Sequence, residues 1–159
     1  MGNYIIVPSV VEHALSLAPY MRADDMREIY RMRKSEPLSA LVKAVNISDK
    51  SWTAFDLDEA KVICMWGVAP GDMLQKVGSP WMLGSDLVEK HWMSFLREGK
   101  EKFISEMTEG YDILRNWVDQ DNEVSKKWLQ WLGFNFKDPK PYGQFGLPFH
   151  EFDMEVKDV

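Results

Sequence analysis

The 159-residue sequence has little cysteine, little positive charge and no long apolar run. Its one cysteine, Cys64, excludes an internal disulfide and any zinc site built from several cysteines. Lys and Arg number 19 against 25 Asp and Glu, and the resulting net charge of −6 argues against non-specific binding of nucleic acid or of an anionic membrane. No apolar run approaches the roughly 18 residues that would cross a bilayer. We therefore expect neither nucleic acid nor a membrane among the partners.

Recognisable targeting and metal-binding signals are also lacking. The first residues, MGNYIIVPSVVEHAL, carry no basic region ahead of the apolar ones, unlike a secretory signal. His13 and His150 lie in segments predicted to be irregular or at element boundaries, so the sequence predicts no metal site. We expect the protein to work in a reducing cytoplasm, or inside something assembled there.

The composition is that of a folded protein. Apolar residues make up 45% and charged residues 28%, which is ordinary for a globular chain and excludes intrinsic disorder. No internal repeat, low-complexity tract or linker interrupts the sequence, so residues 1–159 are predicted to form a single domain.

Hydrophobic periodicity predicts alternating groups of strands and helices. The predicted strands are residues 4–7, 51–56, 61–68, 79–83, 111–118, 134–136 and 149–156. The predicted helices are residues 13–20, 23–36, 38–45, 88–107 and 122–132, and residues 137–148 are predicted to be an exposed loop. This order favours an α/β (α+β) fold with a mixed, twisted sheet covered by helices on both faces.

One segment in this order, NEVSKKWLQWLGF from Asn122 to Phe134, resembles the penultimate helix of GNAT acyltransferases. That helix commonly begins with Asn, has a small residue three positions on and ends in Gly-Phe; Asn122, Ser125, Gly133 and Phe134 fit the pattern. The resemblance implies a mostly antiparallel GNAT sheet.

The whole chain is also similar to the GNAT-like internal virion protein A family of short-tailed phages. The matching features are the strand end Leu83–Asp86, the long helix through Phe103, and the strand Arg115–Val118 with its tryptophan. This resemblance implies other phage virion or assembly proteins as partners, and a location in the host cytoplasm or the virion interior.

The GNAT resemblance implies which residues would hold acetyl-CoA if it binds. They are Leu83 on the strand that carries the pantetheine arm, Ser85 at the start of the long helix, and Asn122. For Asn122, a helix N-cap is an alternative role that its position favours.

Two parts of the enzyme pattern are missing. The Gly-rich turn whose bare amides cradle the pyrophosphate is replaced by Gly84–Glu89, which has one glycine and two acidic residues. The tyrosine that protonates the departing thiolate is replaced by Leu129, which has no proton to donate. We therefore assign no catalytic residue from the sequence, and whether the chain is an enzyme stays open.

The remaining conspicuous residues have simpler interpretations. Cys64 lies in an apolar run, so it is interpreted as a buried small side chain. His91 is interpreted as a partly exposed surface residue of the long helix. Seven tryptophans exceed what a core of this size easily hides, so Trp92, Trp131 and the aromatic loop 142–149 are candidates for a protein-binding surface.

Two functional hypotheses follow, with a third ranked lower. The first is a phage-encoded GNAT-fold protein without conventional acetyl transfer, acting in virion morphogenesis through protein contacts and needing no cofactor. The alternative is a divergent acetyl-CoA-dependent N-acyltransferase. The third, an acidic inhibitor of a host factor that mimics DNA, ranks lower because the charges are interspersed.

Overall fold

The computed structural model describes residues 3–156, apart from the side chain of Leu96. The described chain forms eight strands: β1 (Tyr4–Pro8), β2 (Lys50–Asp56), β3 (Lys61–Pro70), β4 (Val77–Gly84), β5 (Ile113–Asp119), β6 (Asn135–Phe136), β7 (Lys140–Tyr142) and β8 (Leu147–Glu155). Its α-helices are α1 (Val11–Leu17), α2 (Ala23–Arg33), α3 (Pro37–Ile47), α4 (Leu87–Thr108) and α5 (Glu123–Leu132), and a short 3-10 helix spans Ala18–Tyr20.

All the strands belong to one sheet with the order β1-β2-β3-β4-β5-β8-β6, and β7 also pairs with β8. Neighbouring strands are antiparallel except β4 and β5, which run parallel. The predicted mixed, mostly antiparallel α/β fold is therefore confirmed.

Helices cover both faces of the sheet, as the sequence predicted. Along β3, Met65 belongs to a core that includes residues of α1, α2 and α3, whereas Cys64 and Trp66 belong to a second core with residues of α4 and α5. Alternate side chains of a strand point to opposite faces, so a strand covered on both sides reads as one apolar run. This explains why KVICMWGV has no polar alternation.

The prediction of an exposed loop over residues 137–148 was wrong in its middle. Residues Lys140–Tyr142 form β7, and Tyr142 pairs with Leu147 of β8. Gly143 and Gly146 in the turn between them have positive φ angles of 79° and 64°, a conformation that favours glycine. The Tyr142 ring stacks on Trp117 at 4.2 Å between centroids, and this contact anchors the short strand to β5.

None of the helices in residues 3–156 has the length and apolar content needed to cross a membrane.

Candidate functional site

The sheet opens between its two parallel strands. β4 and β5 are paired only at Val77–Ile113 and Gly78–Leu114, and they separate beyond that point. Pro80 follows in β4 and has no N–H to continue the ladder. Instead the Asn116 side-chain amide donates to the Pro80 carbonyl at 2.7 Å, so a side chain joins the strands where the backbone ladder ends.

A partly open cavity of about 240 Å³ lies in this opening. Its walls come from β4, β5, α2, α3, α4 and α5, and its deeper part is lined by the buried rings of Trp66, Phe103, Trp128 and Phe152. Ligand pockets in proteins usually measure roughly 300–1,000 Å³. This cavity therefore suits a small molecule, or one moiety of a larger one.

Leu83, a predicted cofactor-binding residue, is buried near the end of β4 and lines the cavity. Backbone groups before and after it have protein partners. The Pro80 carbonyl accepts from Asn116, the Gly84 N–H donates to Asp25 of α2, and the Gly84 carbonyl accepts the N–H of Arg22, the N-cap of α2. Because backbone groups alternate in direction along a strand, the amide and carbonyl of Met82 also point towards β5, into the opening.

Ser85, the second predicted residue, connects the start of α4 to β3. Its buried hydroxyl lies 2.9 Å from the Val62 carbonyl and 3.0 Å from the Ile63 carbonyl, and it accepts the Leu87 N–H at 3.3 Å. The hydroxyl hydrogen is thus directed to β3. The hydroxyl oxygen accepts the N–H of Leu87, one of the amides in the first turn of α4 that have no partner within the helix.

Asn122, the third predicted residue, is fully buried and caps α5. Its side-chain oxygen accepts the Ser125 N–H at 3.4 Å, so the N-cap prediction is confirmed. Its amide donates to Asp25 at 3.0 Å and to Glu28 at 3.3 Å. The structure thus brings Leu83 to the cavity, while Ser85 and Asn122 are bonded to neighbouring protein groups; their role in binding a cofactor stays a prediction.

The Asp25 carboxylate lies between the end of β4 and the start of α5. It accepts the Gly84 N–H at 2.8 Å and pairs with Arg22 at 2.8 Å, in addition to its bond from Asn122. Burial raises the pKa of Asp25, while Arg22 and the hydrogen bond from Asn122 oppose that rise. The Asp25 carboxylate of α2 therefore binds the Gly84 N–H, which the GNAT resemblance implies would bind a phosphate of the cofactor.

The amides at the start of α4 are also engaged within the protein. Ser85 N–H bonds to the Ile63 carbonyl, Val88 N–H to the Ser85 carbonyl and Glu89 N–H to the Asp86 carbonyl. With Asp25 at Gly84 and acidic Asp86 and Glu89 on the first turns, the residues present do not fit the pyrophosphate of CoA.

Glu28 is the acidic residue that lines the cavity. Its carboxylate accepts the Asp119 N–H at 2.9 Å as well as the amide of Asn122. Burial, reinforced by the nearby Asp25, raises the pKa of Glu28 to about 8. At neutral pH this side chain is mostly protonated, and as the pH rises it becomes able to accept a proton at the cavity wall.

Leu129, which replaces the acid tyrosine of the resemblance, also lines the cavity. Among the described residues of the cavity wall there is no Tyr, His or Cys. Cys64 is buried in the core, as predicted, and burial raises its thiol pKa, so it is not an activated nucleophile.

The interpretation of His91 as a surface residue was wrong. His91 is fully buried, with Nε2 lying 2.7 Å from the carboxylate of Asp56 and Phe95 stacked on its ring at 6.1 Å between centroids. Positions 91 and 95 are one helical turn apart, so His91 shares the inward face of α4 with Phe95. Asp56 also accepts the N–H groups of Asp58 and Glu59. The Asp56–His91 hydrogen bond therefore connects the β2–β3 turn to α4.

Sequence reasoning missed the roles of Asp25, Glu28 and Asn116. The first two were assigned only to a helix of no stated function, and Asn116 only to a strand. One signal was present for Asn116, because a proline in a central strand leaves an unpaired position that a neighbouring amide side chain can fill. Among residues 3–156, no group of three or more His, Cys, Asp or Glu side chains has the arrangement of a metal site.

Comparison with known proteins identifies other structures that have a similar fold. No protein-family model matches the chain, and no curated protein matches it by sequence. A ribosomal-protein-S5-alanine acetyltransferase from Vibrio fischeri is structurally similar, with a TM-score of 0.67 and 18% identity over 99% of this chain and 96% of that one. A GNAT-family acetyltransferase from Bacillus anthracis gives a TM-score of 0.67 and 10% identity, covering 99% and 98% of the two chains.

A putative acetyltransferase from Acinetobacter baylyi gives a TM-score of 0.69 at 13% identity, with 98% of this chain and 94% of that chain covered. At such low identity these likenesses concern the backbone. Together with the strand order and the opening between β4 and β5, they establish that this chain has the GNAT acetyltransferase fold.

Proposed function

We propose that this protein is a phage internal virion or assembly protein whose GNAT fold does not carry out conventional acetyl transfer. The observation that carries the proposal is the Asp25 carboxylate at 2.8 Å from the Gly84 amide, at the entrance to α4. A pyrophosphate at this place would have to displace this carboxylate, because the Gly84 N–H and the Arg22 guanidinium are both already bonded to it. The virion role itself is supported by the resemblance in sequence.

Leu129 supports the same conclusion from the chemical side. It lies on the cavity wall at the position of the acid tyrosine, and its side chain has no proton to give. Among residues 3–156 we therefore expect neither a site for the phosphates nor the usual acid for the leaving group.

Aromatic side chains at the surface are suited to protein contacts. Tyr30 and Phe145 are 52% and 47% exposed and stack on each other at 5.6 Å between centroids. Lys34 lies 5.5 Å from the Phe145 ring. The predicted candidates Trp92 and Trp131 are partly buried, and each packs against Trp128. Exposed aromatic residues with an adjacent cation are typical of protein interfaces, so the pair Tyr30–Phe145 is the better candidate.

A thermal titration with acetyl-CoA and CoA tests the loss of the cofactor. A ligand at a hundred times its Kd adds about 2.7 kcal/mol of stability, which is about 5 to 10 °C for a domain of this size. We expect no saturable shift at millimolar CoA, while an active acetyltransferase of the same fold, run in parallel, should show one. A saturable upward shift together with acetylation of any amine would overturn the proposal.

The virion role is tested separately by mass spectrometry of purified particles and of assembly intermediates from the phage that encodes the chain. We expect the protein in at least one of them, at a constant ratio to the capsid protein. Absence from both would refute the role in morphogenesis.

A divergent N-acyltransferase is the second candidate, and the cavity with Glu28 favours it. A carboxyl group with a pKa of about 8 is well matched to hold the proton of an amine near neutral pH. If this function is correct, acylation of an amine acceptor should fall by 10²-fold or more in Glu28→Gln, a typical contribution of a general base. An active enzyme that Glu28→Gln leaves unchanged would remove Glu28 from the mechanism.

A further inference from the structure

The cavity between β4 and β5 opens on the side of α2 and α3. Among its described lining residues, only Arg33, Lys43 and Ile47 are exposed, and all three belong to these two helices. Near the start of α4, Asp25 and Asn122 are buried and bonded to each other, and they do not line the cavity. A ligand therefore enters between the end of α2 and the middle of α3.

The exposed lining residues Arg33, Lys43 and Ile47 form the mouth of the cavity. Arg33 and Lys43 carry positive charges that have no acidic partner among the described residues. Among the described residues, neither Arg33 nor Lys43 forms an ion pair or a side-chain hydrogen bond. The other arginines of this region differ, since Arg22, Arg27 and Arg31 all pair with aspartates. Arg33 lies in the last turn of α2, where the helix dipole stabilises a cation. Lys43 lies in the middle of α3, where the dipole has no such effect.

The interior of the cavity complements this mouth. Its deep walls are apolar rings and aliphatic chains, among them Trp66, Phe103 and Leu132. The acidic residue there, Glu28, is mostly uncharged at neutral pH because its pKa is raised to about 8. In a chain with a net charge of −6, the charged side chains at this cavity are thus predominantly positive.

We propose that this cavity binds a small amphipathic carboxylate, a medium-length acyl chain whose carboxylate lies between Arg33 and Lys43 while its tail fills the space beside Trp66 and Trp128. The proposal goes beyond the virion role and does not depend on it, because the cavity and its charges are present whatever the protein assembles with.

Isothermal titration of the full chain with octanoate tests the proposal, with octanol and octylamine as neutral and cationic probes of the same length. We expect saturable binding of octanoate, at least tenfold weaker binding of octanol, and no binding of octylamine. Equal affinity for octanoate and octanol would refute the role of the two cations, and no binding of octanoate would refute the site.

Variants of the chain test the contributions of the two charges and of the cavity wall separately. The double variant Arg33→Gln/Lys43→Gln should weaken octanoate binding about tenfold. The matched control Lys102→Gln/Lys127→Gln removes two exposed lysines of α4 and α5 that do not line the cavity, and it should leave the affinity unchanged. Ala44→Leu adds bulk to the cavity wall. Because leucine is a good helix former, this variant should abolish binding without unfolding α3.

An equal loss of affinity in both double variants would show a non-specific charge effect and overturn the proposal. Unchanged binding in Ala44→Leu would show that the octanoate tail lies elsewhere. The series of three probes on the natural chain remains decisive if any variant fails to fold.

Discussion

Asp25→Ala is expected to destabilise the protein more than any other single removal of a carboxylate from α2. The carboxylate accepts three hydrogen bonds, from the Gly84 N–H, the Arg22 guanidinium and the Asn122 amide, and all three donor residues are buried. Alanine takes this acceptor from all three donors. The Asn122 amide keeps Glu28 at 3.3 Å, and the charged Arg22 guanidinium keeps only a longer contact of 3.5 Å with Asp24.

The expected size follows from these contacts. Removing one partner of a buried ion pair costs about 3–5 kcal/mol when the other charge stays buried and unpaired. The remaining 3.5 Å contact of Arg22 with Asp24 places this case at the low end of that range. Each neutral buried donor left without a partner costs about 1–3 kcal/mol, although relaxation and water entry reduce the sum. We therefore expect Asp25→Ala to lower the free energy of unfolding by about 4 kcal/mol, which is about 8 to 16 °C in melting temperature.

Urea unfolding at pH 7, followed by tryptophan fluorescence, measures this loss, and Asp24→Ala is the matched control. Asp24 is one position away and partly exposed. It pairs with Arg27 at the surface and makes a longer contact of 3.5 Å with Arg22, which keeps Asp25 as its close partner, so its removal should cost less than about 1 kcal/mol. The double variant Arg22→Met/Asp25→Ala should be less destabilised than the sum of the single variants, because it also removes the buried charge that has lost its close partner. A loss below about 1 kcal/mol in Asp25→Ala would refute the idea that this carboxylate takes the place of a bound anion.

Two further predictions concern pH. Because the pKa of Glu28 is raised to about 8 in the folded state, the folded protein binds more protons than the unfolded one between about pH 4.5 and pH 8. Stability should therefore fall by about 1 kcal/mol per pH unit as the pH rises through this range, and the slope should flatten in Glu28→Gln; an unchanged slope in the variant would contradict the assignment. The pKa of Asp56 is lowered, chiefly by its hydrogen bond with His91, so its stabilising effect is present above about pH 4 and is lost as the pH falls further. Asp56→Ala should cost about 3 kcal/mol at pH 7 and reduce the loss of stability in acid, as thermal unfolding between pH 2 and pH 7 would show; a fully retained acid loss would exclude Asp56 as its origin.

The fold was predictable because its elements have strong local signals. The apolar run 61–68 was identified as a strand, and the stripe on residues 88–107 as a helix, from patterns that depend only on neighbours in sequence. The N-cap of α5 and the burial of Cys64 were predictable for the same reason, since Asn122 precedes its helix and Cys64 lies within the strand.

The arrangement around the cavity was not predictable because its bonds join distant parts of the chain. Asp25 is 59 positions from Gly84 and 97 from Asn122, and the sequence placed it only within the predicted helix 23–36. His91 looked exposed because its partner, Asp56, is 35 positions away at the end of another element. Only the fold brings these groups together.

The charges around the opening between β4 and β5 are placed differently from those of a site that binds the phosphates of CoA. At the end near α4, Asp25 accepts the Gly84 amide, so the backbone there is satisfied without a bound phosphate. At the opposite end, Arg33 and Lys43 line the mouth with no partner among the described residues, although the chain is acidic as a whole. An anion would thus meet an amide and an arginine already bonded to Asp25 at the first end, and the cations Arg33 and Lys43 at the second. If the opening still binds a ligand, the polar head of that ligand lies between α2 and α3, which is why octanoate and CoA are the informative pair of probes.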